Sequence, residues 1–300
     1  MGWIIFASII IGLLIYDLGL TNRYNRVITF RQSIYSTLFY LFIACAFGVF
    51  IFFEMGSEKA LEYYTCFFIE KAMSLDNIFV ISMIFQFFSI PLMYQHRILF
   101  FGVLGVLFFR GVIIYFGIVA ITKFSWLLYL LGVILIITGV KAFYITKEKF
   151  NIRQSYIYKF LQKYCNLTDK IIGYRYFVRE NGKISITPIC GALIIIEAMD
   201  AVFALDSIPA IFAITHDSFI IYTSNIFAVL GLRSLFFCLA NLIERFHYIR
   251  YSLAIILIFI GVKIFVVHFI AIPPYFSLLV VISIITGGIF ASIMAPRNKS

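Results

Sequence analysis

Nine stretches of this chain, 3–20, 34–53, 61–88, 97–120, 124–144, 187–212, 219–241, 250–269 and 276–294, are each apolar for about the length a helix needs to cross the hydrocarbon of a bilayer. Nothing else in the sequence constrains the fold as tightly. Hydrophobic residues make up 63% of the chain and charged residues 13%, with a mean hydropathy of +1.04, far from the composition of a soluble domain. The expected architecture is all-α: a polytopic transmembrane helix bundle of about nine spans. The first stretch, which opens MGWIIF, lacks the basic start and small-residue cleavage site of a secretory signal. It reads as a retained helix.

Charge sits between the apolar stretches and alternates in sign. Arg23, Arg26 and Arg31 follow the first, Arg97 the third, Arg245 and Arg250 the seventh, and Arg297 and Lys299 the last. The connection after the second carries Glu54, Glu58, Lys59 and Glu62, and the one after the sixth carries Asp217. Basic loops stay in the cytoplasm, so this phase puts the N-terminus outside and the C-terminus inside. From Lys141 to Lys183 there are ten Lys/Arg against three Asp/Glu. Beside membrane spans, that excess marks a cytoplasmic loop and not a nucleic-acid surface. The five cysteines, Cys45, Cys66, Cys165, Cys190 and Cys238, are scattered without CxxC spacing, which points to packing thiols and to neither a disulfide framework nor a zinc site.

The basic connection, 145–186, reads first as a solvated spacer and second as an arm that binds a partner. Within it, SYIYKFLQKY has the pattern of a basic interfacial helix. Asn181-Gly182 between β-prone runs predicts a hairpin with a type I′ turn. The connection also divides two related halves. Asp76 in SLDNIF answers Asp206 in ALDSIP, with Glu70 and Asp200 six residues before them, and LIITGVKAF answers LIFIGVKIF, placing Lys141 opposite Lys263. Lys141 and Lys263 lie near segment ends, where a lysine snorkels to the headgroups. Each half holds three spans, so the second copy enters the membrane from the opposite side. The chain therefore divides into 1–60 with two N-terminal spans, 61–144 as a first three-helix repeat, 145–186 as the loop, 187–269 as an inverted second repeat, and 270–300 as a last span and tail. Inverted repeats are a transporter device, with the substrate site at their interface near the midplane.

Acidic residues in hydrocarbon cost roughly 2.5–3.5 kcal/mol each on insertion scales, so a cluster of them needs a compensating partner. The candidates are Glu70, Asp76, Asn77, Glu197, Asp200 and Asp206, assisted by Ser74 or Ser207. On a straight helix Glu70 and Asn77 share a face, whereas Glu70 and Asp76 stand about 9 Å and about 120° apart. Glu197 and Asp200 are neighbours at i, i+3. Pro209 has no N–H to bond the carbonyl of Leu205, which leaves an oxygen free beside Asp206. Such a set is all hard oxygen, suited to Mg²⁺, Ca²⁺ or Mn²⁺ and not to a soft-thiolate metal. Each acid taken singly has a plainer reading as a member of an internal ion pair, with Lys71, Arg110 and Arg233 available as partners. That reading fits Glu70 beside Lys71, and Asp17 in the first span, best.

The segments EKAMSLDNIF, YQHRILFFGVLGVLFFRG, IEAMDAVFALDSIPAIFAIT and SNIFAVLGLRSLFF resemble the hallmark stretches of the TerC family of integral membrane proteins, and Asp17-Leu18 in the first span fits the same pattern. Ala198-Met199 departs from it, standing where the family commonly has small hydroxylated residues. The resemblance implies an inner-membrane protein associated with tellurium resistance, similar to manganese exporters, with Glu70, Asp76, Glu197, Asp200 and Asp206 as its functional acids. The function expected is export of a divalent cation, Mn²⁺ foremost, with the lipid bilayer and the ion as partners and no prosthetic group. A non-transporting scaffold, whose basic loop recruits cytoplasmic or secretion-machinery proteins, is the alternative. An enzyme is not expected: the sequence has no nucleophile and base pattern, no phosphate loop and no HExxH.

Overall fold

A computed structural model describes residues 2–21, 30–124, 126–144, 158, 162, 167–168, 171, 173–180, 183–239, 248–266 and 274–294. Cys165, most of the 155–164 segment, the Asn181-Gly182 turn and the basic residues Arg23, Arg26, Arg245, Arg297 and Lys299 lie outside the described residues. The described residues form ten named helices: α1 (Gly2–Thr21), α2 (Phe30–Met55), α3 (Ser57–Phe87), α4 (Leu92–Lys123), α5 (Trp126–Tyr144), α6 (Pro188–Phe212), α7 (Ser218–Leu230), α8 (Leu232–Leu239), α9 (Ile249–Val266) and α10 (Pro274–Met294). Among the described residues, α2, α4, α6, α10 and the 218–238 stretch are long and apolar enough to cross a membrane. Parts of α1, α5 and α9 form shorter apolar helices.

Local chemistry sets the joints. Gly56, at φ 91°, makes the tight turn that folds α3 back on α2. Tyr63 and Tyr64 fasten that pair by donating to the carbonyls of Ala44 at 3.0 Å and Cys45 at 2.7 Å. Thr187 caps α6, its hydroxyl accepting from the Cys190 N–H while Pro188 occupies the first turn. Asp217 caps α7 by accepting from the amides of Phe219 and Ile220. The stretch read as one span over 219–241 divides at Gly231, so α7 and α8 are separate helices joined by one residue.

Burial sorts the helices by role. α7 is buried from Phe219 to Leu230 except for Tyr222, and the hydroxyls of Thr223 and Ser224 donate to carbonyls of the helix itself, which lets this central helix be enclosed on all sides. The outer helices do the reverse: Ile4 and Ile11 of α1, Phe42 and Phe53 of α2, and Leu279 and Phe290 of α10 are exposed, a surface suited to lipid. α3 and α7 pack together, as do α4 and α6, and α5 lies along α9.

The α5–α9 crossing is tight. A Cβ at Gly139 would come within 2.8 Å of the Ala254 carbonyl oxygen and 2.7 Å of Ile258 Cγ1. At Gly261 it would come within 2.8 Å of the Gly132 carbonyl oxygen and 2.7 Å of Ile136 Cγ1. The two sets of contacts mirror one another, and their order along the chain makes the helices antiparallel.

The basic connection is not a free spacer where it is described. β1 (Phe177–Glu180) pairs antiparallel with β2 (Lys183–Ile186), Glu180 facing Lys183, so a two-residue loop joins them at the predicted place. Tyr174 sits edge-on to Tyr94 of α4, and the Arg97 guanidinium lies 5.1 Å from the Tyr174 ring. The hairpin runs into α6 through Thr187, so the loop both covers the start of α4 and anchors the helix that carries Asp200.

Candidate functional site

Arg110, near the middle of α4, is 1% exposed and binds acids from two other helices. Its Nε and Nη2 donate to Asp200 Oδ2 and Oδ1 of α6, each at 3.0 Å, the fork geometry that suits a guanidinium to a carboxylate. Its Nη1 donates to Glu70 Oε1 of α3 and, at 2.6 Å, to Asn225 Oδ1 of α7. Asn225 completes the ring by donating from Nδ2 to Glu70 Oε2 at 3.2 Å. Asn77 donates to Asp200 Oδ1 at 3.4 Å, so Glu70 and Asn77, one helical face apart by seven residues, do meet the same centre. Two carboxylates share one guanidinium here, which leaves an excess of negative charge.

Glu197, one turn before Asp200, points elsewhere. Both of its carboxylate oxygens are buried without a hydrogen-bond partner among the described residues. They lie against α4, where a Cβ at Gly105 would fall 2.2 Å from Oε2 and one at Gly102 would fall 3.3 Å from Oε1. Only glycine leaves that carboxylate its seat.

The remaining sequence candidates separate. Ser74 donates to the backbone oxygen of Glu70 at 2.8 Å and not to a carboxylate. Ser207 is buried with its hydroxyl unpartnered among the described residues, and α6 continues through Pro209 to end one turn later. The backbone places Asp76 in α3 and Asp206 in α6, but their side chains lie outside the described residues.

Of the ion pairs read from the sequence, Glu70 takes Arg110 and not Lys71. Lys71 turns away and donates to the Ala228 carbonyl at 3.0 Å, the position where α7 is about to end and where a cation suits the exposed carbonyls. Asp17 of α1 pairs with Arg233 of α8, both buried. Of the two lysines read as snorkelling, Lys141 is exposed, whereas Lys263 is buried at 6% exposure.

Asn225 is a member of the centre that the sequence reading missed. Its signal is an amide inside a stretch apolar enough to span, the same kind of signal that marked the acids.

A cavity of about 30 Å³ lies beside Asp200, its wall mostly apolar and polar only at Asn77, Asp200 and Arg233, with room for one or two water-sized occupants. Among the described residues no three His, Cys, Asp or Glu side chains lie close enough together to hold a metal ion. The oxygen donors at the centre are carboxylates and amides, hard ligands that do not suit a soft metal.

Spanning helices, lipid-facing apolar flanks and a charged centre buried where α3, α4, α6 and α7 meet define an integral, multi-pass membrane protein. The chain belongs to the TerC family: residues 55–300 match the sequence profile described as "Integral membrane protein TerC family". It is similar to a membrane protein of Rickettsia bellii, 60% identical over 294 residues that cover 98% of this chain and 97% of the relative. A membrane protein of Myxococcus xanthus is 40% identical over 296 residues, 99% of this chain and 93% of its own. A Salmonella typhi protein named as a candidate membrane-bound redox modulator, Alx, is 40% identical over 294 residues, 95% of this chain and 91% of its own. No solved structure matches the chain.

Proposed function

We propose that the protein is a secondary transporter that carries a divalent cation, Mn²⁺ foremost, out across the cytoplasmic membrane, with the N-terminus outside and the C-terminus inside. The observation that carries this reading is the buried centre itself. Acids from α3 and α6 converge on one guanidinium with negative charge in excess, and intramembrane charge maintained at that cost marks an ion or substrate pathway. The mirrored contacts of α5 and α9 support an inverted repeat, since a two-fold relation makes each contact occur twice with its partners exchanged. In such a nine-span bundle the site belongs at the repeat interface. In this reading Glu70 belongs to the first repeat and Asp200 to the second, and their shared contact with Arg110 supports a site between the two. Arg110 acts as a tethered cation in this reading: it holds the two acids together until an ion displaces it, and Glu70, Asn77, Asp200 and the neighbouring Asp76, Glu197 and Asp206 are the oxygen donors for the ion in transit.

Purified protein in proteoliposomes should move Mn²⁺, with a rate that depends on an imposed proton gradient. Asp76→Asn and Asp206→Asn should each abolish that flux while the protein stays folded, because each removes a charge and keeps shape and an oxygen. Flux retained in both variants would overturn the site. The scaffold reading rests on the basic 145–186 loop. Replacing the part of the loop before the hairpin with a neutral linker should leave flux intact if the protein is a transporter, and abolish its cellular function if it is a scaffold.

A further inference from the structure

Arg97, in the second turn of α4, is a half-buried cation with no carboxylate partner among the described residues. Aromatic rings hold it in place: its guanidinium carbon stands 5.9 Å from the Phe101 ring centroid and 5.1 Å from that of Tyr174. The Tyr176 ring meets Phe101 edge-on at 5.7 Å, and its hydroxyl lies beside the same guanidinium, outside hydrogen-bonding geometry. Thr187 fixes this part of the chain, its hydroxyl donating to the Arg175 carbonyl at 2.7 Å and its amide to the Tyr176 carbonyl at 3.0 Å. Arg97 Nε and the hydroxyls of Tyr174 and Tyr176 are thus buried donors with no acceptor among the described residues. Donors so placed call for an acceptor-rich partner.

Depth in the membrane decides which partner that is. α4 has 32 residues, whereas about 20 cross the hydrocarbon, which leaves about six at each end among the headgroups. Arg97 is the sixth residue from Leu92 and falls at that boundary. Beyond it on the same helical face, at i+4, i+7 and i+11, come Phe101, Leu104 and Phe108, all exposed. An acyl chain can lie along that stripe while the phosphate joined to it reaches the cation at its head. We infer that this face is a binding site for an anionic phospholipid: Arg97 pairs with the headgroup phosphate, the hydroxyls of Tyr174 and Tyr176 donate to it, and Phe101, Leu104 and Phe108 take an acyl chain. A guanidinium meets two phosphate oxygens at once, and basic sites at the ends of spanning helices suit anionic headgroups. A zwitterionic headgroup would bring an ammonium, for which the site offers no acid among the described residues. The inference needs α4 to span a membrane and nothing from the transport reading. Because Tyr174 and Tyr176 belong to the connection that runs into α6, lipid bound here would fasten the hairpin to α4.

The test is native mass spectrometry of the full-length protein, titrated in detergent with dioleoyl phosphatidylglycerol, dioleoyl phosphatidylcholine or inorganic phosphate. Wild type should bind phosphatidylglycerol about tenfold more tightly than phosphatidylcholine and show no saturable uptake of inorganic phosphate. Arg97→Gln should weaken phosphatidylglycerol binding by about tenfold and so remove the preference. The double variant Tyr174→Phe with Tyr176→Phe keeps both rings and should weaken it by about threefold or more. Arg179→Gln removes an exposed charge from β1 and should bind like wild type. The proposal is overturned if Arg97→Gln keeps wild-type affinity, or if Arg179→Gln weakens binding as much as Arg97→Gln does, since the attraction would then be diffuse. It is equally overturned if the two lipids bind alike, or if inorganic phosphate binds as tightly as phosphatidylglycerol, which would make this a site for a soluble anion. Should Arg97→Gln fail to fold, the tyrosine double variant decides: wild-type affinity there refutes the site.

Discussion

Arg110 is the residue on which the centre depends, because it satisfies two carboxylates and an amide that have no water to turn to. Arg110→Gln leaves Glu70 and Asp200 buried with their charge uncompensated, a loss on the order of 3–5 kcal/mol. Its expected readouts are a clear drop in melting temperature in detergent and a lower yield in the membrane. Arg110→Lys should lie between that variant and wild type, since an ammonium keeps the charge but cannot bridge Asp200 bidentately while also reaching Glu70. Equal melting of all three proteins would show that the network contributes little. That charged residues in apolar stretches must find partners was legible in the sequence, and so were Arg110, Arg233 and Asp17 as members of pairs. Which acid met which base was not. Glu70 and Lys71 are adjacent in sequence, but successive side chains on a helix point about 100° apart, so one faces Arg110 and the other the end of α7. Asn225 has no acid beside it in the sequence, whereas Asn77 adjoins Asp76, so nothing beside it marks it.

At the scale of elements, periodicity and turn chemistry were the readable parts. Asn181-Gly182 announced a two-residue hairpin, and the strands on either side pair in that register. The apolar runs marked the helices, because a spanning segment has few other solutions. The interruption at Gly231 was not readable, since a glycine inside an apolar run is as often a packing site as a break. Here it adjoins Lys71, whose Nζ lies 2.8 Å from where a Cβ at Gly231 would stand. The repeat LIITGVKAF and LIFIGVKIF predicted that two helices correspond, and the structure packs those helices against each other. Gly139→Val and Gly261→Val are then expected to be equally damaging. Each pushes a branched side chain into a backbone carbonyl 2.8 Å from its Cβ, which cannot yield as a side chain would, and overpacking of that kind costs typically about 1–3 kcal/mol. Melting of the two variants side by side measures this. A large loss in one and none in the other would argue against a two-fold relation between α5 and α9.

For the molecule as a whole, the proposal of transport makes the sign of the buried charge the selector of cargo. Tellurite is an oxyanion, and the family's association with tellurium resistance invites the idea that it is the cargo. Of the buried cations described, Arg110 is engaged by Glu70 and Asp200, Arg233 by Asp17 and Lys71 by the Ala228 carbonyl, which leaves Lys263 of α9. An anion entering beside these carboxylates meets a repulsion of about 4 kcal/mol for each pair of unit charges at 4 Å and an effective dielectric near 20. A dication at the same place is attracted about twice as strongly as a single charge. The protein should therefore move Mn²⁺ and exclude tellurite, and any tellurium phenotype should be indirect, through metal balance or membrane protein assembly. Vesicles containing purified protein, given labelled tellurite or Mn²⁺ separately, provide the measurement. Mn²⁺ uptake should saturate and be lost in Asp206→Asn, and tellurite uptake should match protein-free vesicles. Saturable tellurite uptake that Asp206→Asn leaves intact or improves would mean that the interior selects anions and that the acids serve only to hold Arg110 and Arg233 in place.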